Sequence, residues 1–247
     1  MTALTAPTVR PAHAPGPASR TARRLVRVQL SVGVWFWAIV LVVVVVLGVV
    51  LHRYAQPQVS ILAQARQAGI WFPFSMHVVL ATGYLGPHLA AGMTRRSYVR
   101  GAVGCAVVVA ALYAALMTAG LLAERLWYEA NGWTWALQVV ALESSGPRVD
   151  LIFLDHALMF LVANLSGLLV GAVYLAYRGW WGTLLLPVTV GPVLLTGGLL
   201  ADDLLPGVAG SVGGTAGVVV LVLLIAVSVA LAFSWVARRT AVSRSAG

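Results

Sequence analysis

The chain has 247 residues, 60% of them hydrophobic, with a mean hydropathy of +0.92 and a formal net charge of +9. A soluble domain is about 45–50% apolar, so this composition points away from a soluble fold. All sixteen basic residues are arginine, and without a lysine the chain has no phosphate-binding P-loop and is not itself a P-loop ATPase.

Residues 1–18, "MTALTAPTVRPAHAPGPA", are rich in Pro and Ala without periodicity and read as a disordered tail. Residues 19–30 follow, where Arg20, Arg23, Arg24 and Arg27 recur on one helical face with Ala22, Leu25 and Val26 away from it. Two readings are open: an amphipathic helix lying in the membrane interface with its arginines among anionic headgroups, or a basic cluster that only sets orientation. Apolar runs then recur at about 32–51, 71–93, 101–123, 151–177, 180–200 and 215–237. Each reaches the roughly 20 residues that a helix needs to cross the hydrocarbon. They lack the alternation of a membrane barrel strand. The expected fold is therefore all-α: a transmembrane domain over 31–240 with six helices, followed by a tail at 241–247. The first run is too long for a cleaved signal peptide and reads as a retained anchor.

The connections are informative. "GMTRRSYVRG" at 92–101 joins spans two and three and holds three arginines and no acid. The segment 124–150 is aromatic, with Trp127, Tyr128, Trp133 and Trp135, and suits an interfacial belt; its "WALQVVALE" reads as a short helix on or in the bundle. Pro187, Gly191, Pro192, Gly197 and Gly198 predict bends in span five, and 201–217 a hairpin or re-entrant element. If the N-terminus is cytoplasmic, inner segments hold Arg10, Arg20, Arg23, Arg24, Arg27, Arg95, Arg96, Arg100, Arg178, Arg238, Arg239 and Arg244. Outer segments hold Arg53, Arg66, Arg125 and Arg148, and every acid falls in or beside an outer segment. The positive-inside rule thus expects both termini in the cytoplasm, and this distribution argues against nucleic acid as partner.

Chemistry-bearing residues are few. One cysteine, Cys105, excludes an internal disulfide and a CxxC metal site. His77 and His88 share span two, and only His156 lies in another span, so a di-haem site fails on ligand count. The histidines read as interior or interface residues, with one haem between His77 and His156 as the alternative. Asp155 and His156 form a candidate intramembrane polar site, because a buried charge is costly and marks function by default. Asn164, Ser166 and Thr189 read as interhelical hydrogen-bonding groups, and Gly167-x-x-x-Gly171 as a close-packing motif. There is no H-E-x-x-H and no G-x-S-x-G. No residue is expected to be catalytic or to bind a cofactor or metal.

The layout from about 19 to 240, and "LAAGMTRRSYVRGAV" at 89–103 in particular, resembles the permease subunit of bacterial ATP-binding-cassette exporters of the ABC-2, or type V, class. The resemblance implies a subunit of the bacterial cytoplasmic membrane that is not itself an enzyme. A second permease protomer and an ATPase subunit would be its partners, with ATP and Mg carried by the ATPase. It also implies that Thr94, Arg95, Arg96, Ser97 and Tyr98 form a coupling helix docking into the ATPase. Independently, Thr94 suits a helix cap, Arg96 and Arg100 fall one turn apart, and Arg and Tyr are favoured interface anchors. A proton-coupled carrier and a non-transport membrane subunit are the competing expectations. The segment 124–150 is longer than that family leads one to expect, and 201–217 is rich in glycine.

Overall fold

A computed structural model describes residues 16–54, 60–133, 148–177, 179–201, 203–204 and 212–240. Among them every regular element is an α-helix: α1 (Pro17–Tyr54), α2 (Ile61–Gln64), α3 (Arg66–Ala90), α4 (Arg95–Ala130), α5 (Val149–Tyr177), α6 (Gly179–Leu184), α7 (Leu186–Leu200) and α8 (Val212–Arg239). Six helical segments are long and apolar enough to cross a membrane, with α2–α3 and α6–α7 each forming one of them. This is an all-α polytopic membrane protein.

Helix α5 is the axis. Its apolar window is 83% buried, against 6% for that of α1, and it touches α3, α4, α6, α7 and α8. The Gly167-x-x-x-Gly171 pair explains how α3 comes so near. A Cβ at Gly171 would lie 2.6 Å from the Val78 carbonyl oxygen and 2.7 Å from the Ala81 Cβ. A Cβ at Gly167 would overlap the Phe74 carbonyl. Backbone therefore rests on backbone, the arrangement that lets membrane helices gain dispersion where lipid offers no hydrophobic drive. Asn164 adds an interhelical bond, Nδ2 donating to the Ala106 carbonyl at 3.2 Å.

Helix α1 is peripheral and continuous. Its 38 residues rise about 57 Å, well beyond a hydrocarbon core of about 30 Å. The basic stretch 19–30 is thus the opening of the first spanning helix, not a separate helix turned into the interface. No proline or glycine interrupts 18–32, and Thr21, Leu25 and Gln29 bury one face of it. That face meets α4 where Gly101 leaves room: a Cβ there would sit 2.7 Å from the Thr21 side chain and 3.1 Å from the Ala18 carbonyl. Arg20, Arg23, Arg24 and Arg27 remain at least partly exposed.

Other boundaries move too. Span two starts at Ile61 instead of 71, and span three covers Arg95–Ala130. The interruption in span five falls at Leu185, between α6 and α7; Pro192 sits inside α7 without ending it. A proline at the first turn of a helix wastes no donor, which suits Pro187 at the start of α7. Of the expected hairpin at 201–217, residues 212–217 are the first turns of α8, and residues 205–211 lie outside the described residues. So does "WALQVVALE".

Candidate functional site

Three polar regions stand out in the apolar bundle. The first is the arginine-rich end. The chain reverses between α3 and α4 through Ala91–Thr94, with Gly92 at φ +74°, a left-handed conformation that favours glycine. Thr94 caps α4 directly: its hydroxyl accepts from the Ser97 N–H at 3.2 Å, and the Ser97 hydroxyl donates to the Thr94 carbonyl at 2.7 Å. The expected short coupling helix is therefore absorbed into the first turns of α4. Arg96 and Arg100 are exposed. Arg95 is half-buried and donates from Nη1 to the Arg238 carbonyl at 2.7 Å, satisfying the C-terminal end of α8 and tying it to α4. On α8, Arg239 lies over the Trp235 ring, 4.3 Å from its centroid.

Tyr98 corrects the sequence reading. It is 1% exposed, its hydroxyl donates to the Leu80 carbonyl at 2.7 Å, and its ring meets His88 edge to face. Ser97 is buried as well and contacts His88 Nε2 at 3.1 Å. These two residues hold α3 to α4 and leave Thr94, Arg96 and Arg100 as the exposed surface of the segment.

The second region lies at the opposite end, where two carboxylates are buried. Asp155, fully buried on α5, accepts from Arg66 Nη2 at 2.8 Å; the Arg66 side chain is 9% exposed. His156 Nδ1 is 3.8 Å from the same carboxylate oxygen and 2.8 Å from the Ile152 carbonyl. Glu124, near the end of α4, receives the start of α2: Oε1 accepts from the Ile61 and Leu62 N–H groups at 2.9 and 3.0 Å, and Oε2 accepts from the Ser60 hydroxyl. Ser60 in turn caps Ala63 at 3.0 Å. A carboxylate at a helix N-terminus matches orphan donors and the dipole together. Glu124 and Asp155 thus fix the two ends of the Ser60–Arg66 segment. Sequence reading singled out Asp155 but counted Arg66 and Glu124 only as charges of the outer segments. Arg66 lies 89 residues from Asp155, and no local pattern joins them.

The third region is at membrane depth. His77 on α3 is fully buried, with Nδ1 2.7 Å from the Pro73 carbonyl and 3.2 Å from Gln29 Nε2 on α1. His77 Nε2, Asn164 Oδ1 and Ser166 Oγ have no hydrogen-bond partner among the described residues. His77 and His156 each turn Nδ1 to the carbonyl one turn back. Among the described residues no three His, Cys, Asp or Glu side chains cluster as metal ligands.

Two hollows border α1, and another lies away from it. A groove of 1080 Å³ runs between α1 and α2–α3, with Phe36 and Phe72 stacked at 4.4 Å on its wall. A smaller hollow of 240 Å³, lined by Arg20, Arg24, Tyr84 and His88 among others, opens at the arginine-rich end. A third, of 850 Å³, lies between α5, α7 and α8 beside Arg238 and Arg239.

Comparison with protein-family models, curated proteins and solved structures finds no match to this chain. The class is therefore fixed by architecture alone, as a six-helix polytopic membrane protein with one arginine-rich end.

Proposed function

We propose that the chain is the membrane-spanning permease subunit of an ATP-driven exporter in a bacterial cytoplasmic membrane, energised by a separate ATP-binding-cassette ATPase. The observation that supports this reading is the arginine-rich end. Arg96 and Arg100 project from the first turns of α4, a helix of 36 residues that follows directly on a capped, glycine-turned reversal of four residues. A force applied there passes into α4, which packs along α1, α3 and α5. In this reading both termini and this reversal face the cytoplasm, as the arginine census expects.

The buried axis adds a second element. With α5 filling the centre of the bundle, substrate passes between two permease copies and not through one. ATP and Mg belong to the partner. A proton-coupled carrier is the weaker reading, because Asp155, its best proton site, is already matched by Arg66.

The test is co-expression with the P-loop ATPase that this reading expects to be encoded beside the gene, followed by affinity purification. Arg96→Glu with Arg100→Glu should remove the ATPase from the complex and leave the permease folded. An intact complex with normal ATPase stimulation would reject the docking surface. Arg95 is a poorer choice, because its bond to Arg238 makes any change there structural as well.

A further inference from the structure

The hollow at the arginine-rich end and the groove along α1 form the two parts of a cleft beside α1, separated where Gln29 of α1 meets His77 of α3 at 3.2 Å. Both lie between α1 and α3. Helix α1 seats itself on α4 and hardly meets α3. Arg20 and Arg24 line the hollow, while Val32, Trp35 and Ile39 line the groove. These five fall at successive three- and four-residue multiples, so they share one stripe of the helix. Only about 10 Å of helix separates Leu25 in the hollow from Val32 in the groove.

The chemistry changes along that stripe. At one end two guanidinium groups are joined by Tyr84 and His88, and no acid lines the hollow. Arg20 and Arg24 make no ion pair among the described residues. Beyond them the wall is apolar from Val32 to Leu51, with Ser60 and Gln64 only at the far end. That length is about 28 Å, close to the hydrocarbon thickness of a bilayer. A free anion would use the arginines and leave the groove empty, whereas a neutral lipid would fill the groove and ignore the arginines. A molecule with an anionic phosphate head and an acyl chain matches both.

We infer that the α1–α3 cleft is a binding site for an anionic phospholipid, with its phosphate between Arg20 and Arg24 and an acyl chain laid against Val32, Trp35 and Ile39. Arginines facing headgroups at a membrane surface attract anionic lipid in any case; the cleft adds a defined seat with its own chain groove. This inference does not depend on the exporter reading, because it concerns only lipid and the α1–α3 cleft.

The full chain is reconstituted in phosphatidylcholine vesicles doped with lipid brominated along the acyl chain, and tryptophan quenching is followed. Subtracting the signal of Trp35→Phe isolates Trp35. Brominated phosphatidylglycerol should quench Trp35 at a far lower mole fraction than brominated phosphatidylcholine, by up to about thirtyfold for two arginines near the membrane surface. Arg20→Gln with Arg24→Gln should erase that preference, and Arg20→Lys with Arg24→Lys should keep most of it. Arg96→Gln with Arg100→Gln, which lie outside the hollow, should leave it intact. Equal quenching by the two lipids in the unaltered chain would overturn the site. Equal loss from the Arg96 and Arg100 pair would reduce it to diffuse surface charge and overturn it too. Inorganic phosphate should not relieve the quenching; if it does, the site takes a free anion and the acyl-chain half is wrong.

Discussion

Removing Arg66 should damage this protein more than removing its partner's charge. In Arg66→Leu the Asp155 carboxylate, fully buried on α5, loses the guanidinium that holds it at 2.8 Å. Breaking a buried ion pair from one side costs about 3–5 kcal/mol, because a desolvated charge is left without its counter-charge. In Asp155→Asn the stranded group is the arginine instead. It stands at the first residue of α3, with its side chain 9% exposed, and its long stem lets the head reach toward water. The expected loss is then nearer that of one hydrogen bond to a charged group, about 1.5–3 kcal/mol. The double change Arg66→Leu with Asp155→Asn removes both charges and should lose about 1–3 kcal/mol less than the two single changes added together. The assay is equilibrium unfolding in mixed micelles for the four chains, read as a double-mutant cycle with a coupling of about 1–3 kcal/mol. If both single changes fall within about 0.5 kcal/mol of the unaltered chain, the pair does not hold α3 to α5. If Asp155→Asn abolishes transport without loss of stability, the proton-carrier reading replaces the exporter reading.

Gly171→Ala forces a methyl to 2.6 Å from the Val78 carbonyl; backbone cannot yield as a side chain can, so α3 must shift. Overpacking of this kind costs about 1–3 kcal/mol, measured by the same unfolding assay. Glu124→Ala removes the acceptor of Ser60 Oγ, Ile61 N and Leu62 N. The loss should be about 1–3 kcal/mol, and the Ile61 and Leu62 amides should exchange faster with deuterium than those of α4. Tyr98→Phe loses the bond to the Leu80 carbonyl, a cost of about 1 kcal/mol. It should not alter capture of an ATPase, because the ring is buried.

Hydropathy alone carries the number of spans, since a run of apolar residues long enough to cross a bilayer has few other uses. It misplaces their ends. Span two begins at Ile61, earlier than the apolar run suggests, because polar residues before Trp71 are satisfied within the bundle: Ser60 by Glu124 and Arg66 by Asp155. Nothing local in "SILAQARQAG" announces that, as both partners come from more than 60 residues away. The basic segment 19–30 shows the same limit. Its arginine periodicity is visible in sequence, but its opposite face is recruited by Gly101 on α4, which makes it the opening of a long helix. At 92–101 the cap and the turn are legible from Thr94 and Gly92. The fate of Tyr98 is not, because an interface anchor and a core aromatic look alike until the neighbouring helix is placed.

A photo-activatable residue placed at position 96 or 100, with one at exposed Leu126 on the far end of α4 as control, tests the exporter reading in the native membrane. The expected result is a cross-link from 96 and 100, but not from 126, to a protein carrying a P-loop. Cross-links to lipid alone at 96 and 100, with an ATPase co-expressed, would contradict it.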